Sequence, residues 1–171
     1  MQTAERLARL APEDPEFMPE LEPQQYDMAR NWSEATAALD PKGRADAVRA
    51  ITAPASQGGL VSTGFLDARA GSGAVANYKG LFAYSGSTAA ALTTTVRTPD
   101  GTGSGWSGAS HHDWSRIDPA ALGARAAEKA RASRSPAAVE PGRYTVVFEP
   151  TAVANLIQFI SFALNARSAD E

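Results

Sequence analysis

Two Asp-Pro pairs, Asp40-Pro41 and Asp118-Pro119, constrain the fold of this chain more than any other feature. In each, the carboxylate can accept from an amide of the first helical turn. The proline, which lacks an N–H, suits the first helical position. The first pair opens a helix whose apolar face is Ala45, Val48 and Ile51 and which should end before Pro54. The second opens a helix to about Arg134, with Arg125, Lys129, Arg131 and Arg134 toward the end where positive charge suits the helix dipole. Glu128 lies three residues from both Arg125 and Arg131, spaced for pairing along the helix.

Between these helices the chain changes character. Residues 58–110 hold β-branched, aromatic and small residues in short runs. The pattern predicts strands near 59–69, 74–78, 81–85, 87–97 and 104–110. Gly71-Ser72-Gly73, Lys79-Gly80, Ser85-Gly86 and Pro99-Asp100-Gly101-Thr102-Gly103 supply the turns. Short strands with tight connections make an antiparallel meander. Downstream, Pro141-Gly142 leads into a predicted strand, Arg143-Tyr144-Thr145-Val146-Val147-Phe148, and Glu149-Pro150 starts a helix to about Ala166. The fold class expected is α+β: an antiparallel sheet flanked by helices, followed by a strand–helix unit from the start of a second domain.

Upstream, Leu7 and Leu10 mark a short helix over residues 1–10, stopped by Ala11-Pro12. Residues 12–27 hold four prolines among acidic side chains and read as a connector running over a surface. Residues 1–40 carry nine acidic and three basic side chains, so the acidic excess sits at the front. The domain plan expected is a helical piece with its Pro-rich acidic connector (1–55), the sheet plus helix (56–140), and the beginning of a further domain (141–171).

Composition removes several classes of function. The 171 residues carry a net charge of −3, which argues against a basic footprint for nucleic acid. There is no cysteine, hence no thiol nucleophile, thiolate metal site or disulfide. Charges in the first ten residues break any secretory signal pattern. The apolar stretch Val153 to Leu164 falls short of the roughly 20 residues a membrane span needs. No membrane association and a cytoplasmic location are expected.

Three local patterns could carry chemistry, and each has a plainer explanation. Gly103-Ser104-Gly105-Trp106-Ser107-Gly108 has dinucleotide-loop spacing but no strand–turn–helix setting, and reads as Gly/Ser-rich strand or loop. His111-His112-Asp113 holds the only imidazoles. On a strand, adjacent residues point to opposite faces, and no third imidazole or thiolate exists to complete a zinc site. No Gly-x-Ser-x-Gly elbow is present. The informative element is the last helix. Leu156, Ile157, Phe159, Ile160, Ala163 and Leu164 cover an arc of roughly 160°, with Phe162 among the polar residues opposite. So wide an apolar arc predicts a partner or domain interface through Leu156, Ile157, Phe159, Ile160 and Phe162.

The run from Pro141 through Val146-Val147-Phe148-Glu149-Pro150 to Leu156 resembles the signature stretch of the TldD/PmbA family, once called modulators of DNA gyrase. In order upstream, Ala76-Asn77-Tyr78-Lys79-Gly80-Leu81-Phe82 resembles its "Asn-Ser-x-Gly" segment and Thr98 to Trp106 its glycine-rich hairpin. The Asp118-Pro119 helix resembles the one leading to the signature. The resemblance covers nearly the whole chain, which looks truncated at both ends against the family. It implies a two-subunit zinc metallopeptidase acting on peptides, whose catalytic subunit carries His-Glu-x-x-x-His on the helix after the signature strand. Here that helix reads Leu156-Ile157-Gln158-Phe159-Ile160-Ser161-Phe162-Ala163, and no His follows His112. The resemblance is therefore to the non-metal, TldE/PmbA-like subunit. It implies no cofactor and no catalytic residue in this chain, zinc in a TldD-like partner of a heterodimer, and a peptide substrate. Hydrolysis by this chain alone is not expected. The competing expectation is a stand-alone binding or structural module without peptidase activity.

Overall fold

The computed structural model describes residues 2–166 and 169. Met1, and Arg167, Ser168, Asp170 and Glu171 at the far end of the expected 141–171 unit, lie outside the described residues. The chain divides into two compact units, residues 1–136 and 137–171.

The first unit begins with helix α1 (Gln2–Ala8), followed by a connector without helix or strand, the single turn α2 (Glu34–Ala37) and helix α3 (Pro41–Gln57). Three antiparallel strands follow in the order β1 (Val61–Ala76), β2 (Phe82–Arg97) and β3 (Ser104–His111). A 3-10 turn (Trp114–Arg116) then leads into α4 (Pro119–Ala132). Both Asp-Pro starts form as expected: Asp40 Oδ1 accepts from the Gly43 amide at 2.7 Å, and Asp118 Oδ1 from the Ala121 amide at 3.1 Å.

The sheet corrects the expected strand count. Five short strands are in fact three, because β1 runs unbroken through Gly71-Ser72-Gly73 and β2 through Ser85-Gly86. The register explains it. Gly71 lies opposite Ser87, Ser72 opposite Gly86 and Gly73 opposite Ser85, so the two Gly/Ser stretches pair with each other. Neither stretch needs a left-handed residue, and glycine is as free to extend as to turn. The real turns are the other two. At the β1–β2 connection Asn77 Oδ1 accepts from the amides of Lys79 (3.1 Å) and Leu81 (3.0 Å), and Gly80 takes a φ of 91°. At the β2–β3 connection Gly101 takes a φ of 74°.

β3 pairs with residues 90–97 of β2 alone, so the outer half of the β1–β2 hairpin is a two-stranded ribbon. Along the ribbon the acidic connector is fastened at both ends. Asn77 Nδ2 donates to the Leu21 carbonyl (2.8 Å) and Lys79 pairs with Glu22 (2.8 Å). At the other end the Thr88 amide donates to the Asn31 carbonyl at 2.9 Å. There Gly86 has no side chain to block the Trp32 ring, which a Cβ would meet at 3.4 Å.

The alternate residues Thr88, Ala90, Leu92, Thr94 and Val96 of β2 are buried, and α3 and α4 pack on the sheet. Ile51, Ala90, Leu92 and Ile117 form one cluster; Ala55, Leu60, Val96, Ala126, Ala127 and Ala130 form the other. Both clusters require very close approach. A Cβ on Gly105 would lie 2.3 Å from the Ala126 carbonyl oxygen, and one on Gly123 would lie 2.1 Å from that of Ile51. The same packing overrides Pro54. The first Asp-Pro helix was expected to end before it, yet α3 continues to Gln57 because Ala55, one residue on, is wholly buried against the sheet and α4. In α4 the expected pairing of Glu128 with Arg125 or Arg131 does not form; Arg131 lies against Gly58 instead.

The second unit holds helix α5 (Pro150–Ser161). Two expectations fail here. Residues 143–148 join no sheet among the described residues, since a strand needs a neighbour to take its main-chain bonds and none is present in this unit. The helix also stops five residues short of Ala166. The Ala163 and Leu164 amides turn back three residues, to Ile160 (2.9 Å) and Ser161 (3.2 Å), which tightens and ends the last turn.

The close contacts separate the glycines by role. Gly123→Ala should destabilise the protein by about 1–3 kcal/mol, because the clash is with main chain and cannot be relieved by a rotamer. Gly71→Ala, whose Cβ would meet nothing within 4 Å, should be neutral or stabilise by a few tenths of a kcal/mol (~0.5). Urea unfolding of the two variants checks both.

Candidate functional site

The five residues expected to form an interface sit together at the end of the chain. Leu156, Ile157, Phe159 and Ile160 lie on α5, and Phe162 occupies its C-cap. All are exposed, from Leu156 at 54% to Phe162 at 76%, and α5 has no buried residue at all. At 100° per residue Leu156, Ile157 and Ile160 share one side of the helix, with Phe159 at its margin; Phe162 falls on the opposite side. The helix therefore presents apolar surface around most of its circumference. No side chain between Leu156 and Ala163 is an imidazole, thiol or carboxylate, so this helix has nothing with which to hold a metal or activate water.

The imidazoles lie elsewhere, and their arrangement departs from expectation. Strand β3 ends at His111, so the two rings do not take opposite faces; they stack with centroids 4.4 Å apart. His111 Nδ1 accepts from the Asp113 amide at 2.9 Å, leaving one ring nitrogen engaged in main-chain bonding. Among the described residues no group of three or more His, Asp or Glu is placed to hold a metal ion. Nor is any helix among them long and apolar enough to cross a membrane.

What the His-His-Asp segment does is fasten the structure. The His112 carbonyl accepts from the hydroxyls of Thr36 (2.8 Å) and Thr88 (2.7 Å). Those hydroxyls accept in turn from the Trp114 amide (2.7 Å) and the Ser33 amide (3.0 Å). Both threonines are buried, so α2, the edge of β2 and the 3-10 turn meet in one saturated polar knot. Asp113 completes it: Oδ1 accepts from the Ser115 hydroxyl (2.8 Å), the Ser115 amide (3.0 Å) and the Ser33 hydroxyl (3.0 Å). The Ser115 hydroxyl above all, then the Ser115 amide and the Ser33 hydroxyl, hold its carboxyl below the ordinary carboxylate range. Thr36 and Thr88 carried no distinguishing signal in the sequence, because their partners are 76 and 24 residues away.

The Gly103–Gly108 motif is strand, not phosphate loop. Its first two glycines admit the backbone of α4, and Gly108 lies under the Trp106 ring, whose Cζ2 a Cβ would meet at 2.7 Å. On the sheet face turned away from α3 and α4, Val61, Phe65 and Trp106 are exposed.

Comparison with known proteins places this architecture. Residues 19–134 match the profile of the PmbA/TldA metallopeptidase central domain. A crystal structure from Thermotoga maritima, described as "a putative modulator of a DNA gyrase", superposes with a TM-score of 0.68 at 18% identity, over 81% of this chain and 33% of that one. The chain thus spans about a third of the length of that structure. No curated protein matches.

The knot generates two expectations. Thr36→Val keeps shape but strands the Trp114 amide, and should cost about 1–3 kcal/mol in urea unfolding. Because folding lowers the Asp113 pKa, the stability it contributes is complete above its unfolded value, near pH 4, and is lost as pH falls through the lower folded value. Asp113→Asn should therefore flatten the acid limb of a plot of melting temperature against pH, with the two proteins converging at the lowest pH.

Proposed function

The chain belongs to the PmbA/TldD metallopeptidase family, and from that premise we propose that it is of the non-catalytic, TldE/PmbA-like type. In this reading it pairs with a metal-bearing homologue in an assembly that breaks down peptides. The zinc is held by that homologue, and this chain contributes surface, not ligands. The observation that carries the reading is α5. It stands where the resemblance puts the metal-binding helix, yet offers Leu156, Ile157, Phe159, Ile160 and Phe162 where imidazoles and a carboxylate are needed. Metal-assisted hydrolysis depends on a nucleophilic water held by such donors, and α5 supplies none. The side chains it does supply gain free energy by leaving water, about 25 cal/mol per Å² of apolar area covered. That is the chemistry of docking. The matched residues 19–134 run across the boundary expected at 55/56, and in this reading residues 141–171 begin a further domain.

Coexpression with a homologue carrying His-Glu-x-x-x-His, followed by light scattering on the purified material, tests it. A stoichiometric complex is expected, with zinc confined to the homologue. Ile160→Asp, on an exposed position, should weaken the complex about tenfold or more while leaving the far-ultraviolet spectrum unchanged. A well-folded monomer indifferent to the homologue would instead mark a stand-alone module.

A further inference from the structure

Strand β1 lies at a margin of the sheet, with β2 on one side and no strand on the other. Among the described residues, no main-chain bond from another segment reaches any of its sixteen residues. The pairing with β2 runs from Val61 opposite Arg97 to Ala76 opposite Phe82 without a bulge, so the strand is regular throughout. It contains no proline and no lysine, the residues that commonly blunt an edge. A long, regular, open edge is a template for a further strand. The margin is also apolar. Val48, on the expected apolar face of α3, remains 46% exposed, and Phe65 on the opposite face of the sheet 57%. Both line a cavity of about 100 Å³ with Ser62, Gly64 and Leu66 of β1.

The side chains of β1 are complementary to themselves. Asp67 and Arg69 are its only charged residues, and they pair with each other at 2.7 Å. Residues directly opposite in an antiparallel pair share a face, and like charges placed opposite each other are destabilising. A two-fold axis through Ala68 sets Asp67 of each copy opposite Arg69 of the other. An axis through Asp67 or Arg69 would set like charges together, and any other would leave both opposite neutral residues. The register that matches the charges also sorts the sizes: Leu66 falls opposite Ala70, Phe65 opposite Gly71, Thr63 opposite Gly73 and Val61 opposite Val75. Room for the larger member exists, since a Cβ on Gly71 or Gly73 would meet nothing within 4 Å. An aromatic ring laid over an edge glycine shields the main chain that the glycine leaves bare.

We propose that two copies of this chain pair through β1, antiparallel about a two-fold axis at Ala68, and so join their three-stranded sheets into one continuous sheet. Main-chain bonds over residues 61–75 then close both edges. Asp67 and Arg69 of the two copies form a ring of four alternating charges, which fixes the register, while burial of the Val48 and Phe65 margins adds apolar contact.

This inference stands apart from the subunit reading, because the contact involves neither α5 nor a metal-bearing homologue. Sedimentation equilibrium of the full chain should show a dimer at or below about 100 μM. Asp67→Arg, which gathers four cations, should weaken the dimer at least about tenfold with an unchanged far-ultraviolet spectrum. Adding Arg69→Asp should restore it to within about threefold. Ile160→Asp should leave it intact. The chain has no cysteine, so an introduced one reports its own surroundings. Ala68→Cys faces itself across the axis, where opposite Cα atoms lie about 4.5–5.5 Å apart, and should form a covalent dimer with oxidised glutathione. Ala70→Cys, displaced from its counterpart by four residues, about 13 Å, should not. A monomer at that concentration, a dimer indifferent to Asp67→Arg, a dimer lost in Ile160→Asp, or cross-linking equal at positions 68 and 70 would each overturn the proposal.

Discussion

The structure depends on how closely helix α4 approaches its neighbours. Its inner surface is Gly123, Ala126, Ala127 and Ala130, and it meets the main chain of α3 at Ile51 and of β3 at Gly105. Nothing larger than a hydrogen fits at Gly105 or Gly123, so backbone packs on backbone. Close packing of this kind gives many weak dispersion contacts in place of a few large side chains. It explains how a core whose largest wholly buried side chains are Leu92, Val96 and Thr94 can hold a three-stranded sheet. It also explains why α3 survives an internal proline: ending the helix at Pro54 would pull Ala55 out of that contact.

What the sequence disclosed and what it hid divide along the same physical line. Features set by neighbours in the chain were legible. Asp40 and Asp118 cap their helices, Asn77 and Gly80 make one turn, Gly101 the other, and the acidic connector runs over a surface. Features set by distant partners were not. Gly71-Ser72-Gly73 looks like a break until it is seen opposite Ser85-Gly86-Ser87, where extension satisfies both stretches. Residues 143–148 have every β-forming residue and no strand to pair with in their own unit. For the candidate interface, the apolar arc of α5 could be drawn from periodicity alone, whereas the lack of any buried residue on it could not. The polar knot at His112 was legible only as a segment rich in imidazole, because its threonines come from two other parts of the chain.

The chemistry-bearing residue types that attract attention in the sequence turn out to be structural. Both histidines stack beside a knot of threonine hydroxyls, the glycine-rich motif makes room for a helix, and the best-supported carboxylate caps a 3-10 turn. Membership of a metallopeptidase family therefore does not by itself locate a reaction in this chain. Its distinguishing surface is the apolar helix of the second unit.

The hairpin's outer half has a consequence of its own. Apart from Arg69, Val75, Phe82 and Tyr84, its facing residues are Gly, Ala, Ser and Thr, so side-chain contacts there hold the register only weakly. Asn77 adds a fastening at the tip: its side chain closes the loop through two amides and also holds the Leu21 carbonyl. One amide side chain thus braces the hairpin tip and the acidic connector together, beside the Lys79–Glu22 pair and the Thr88–Asn31 bond that hold the same connector.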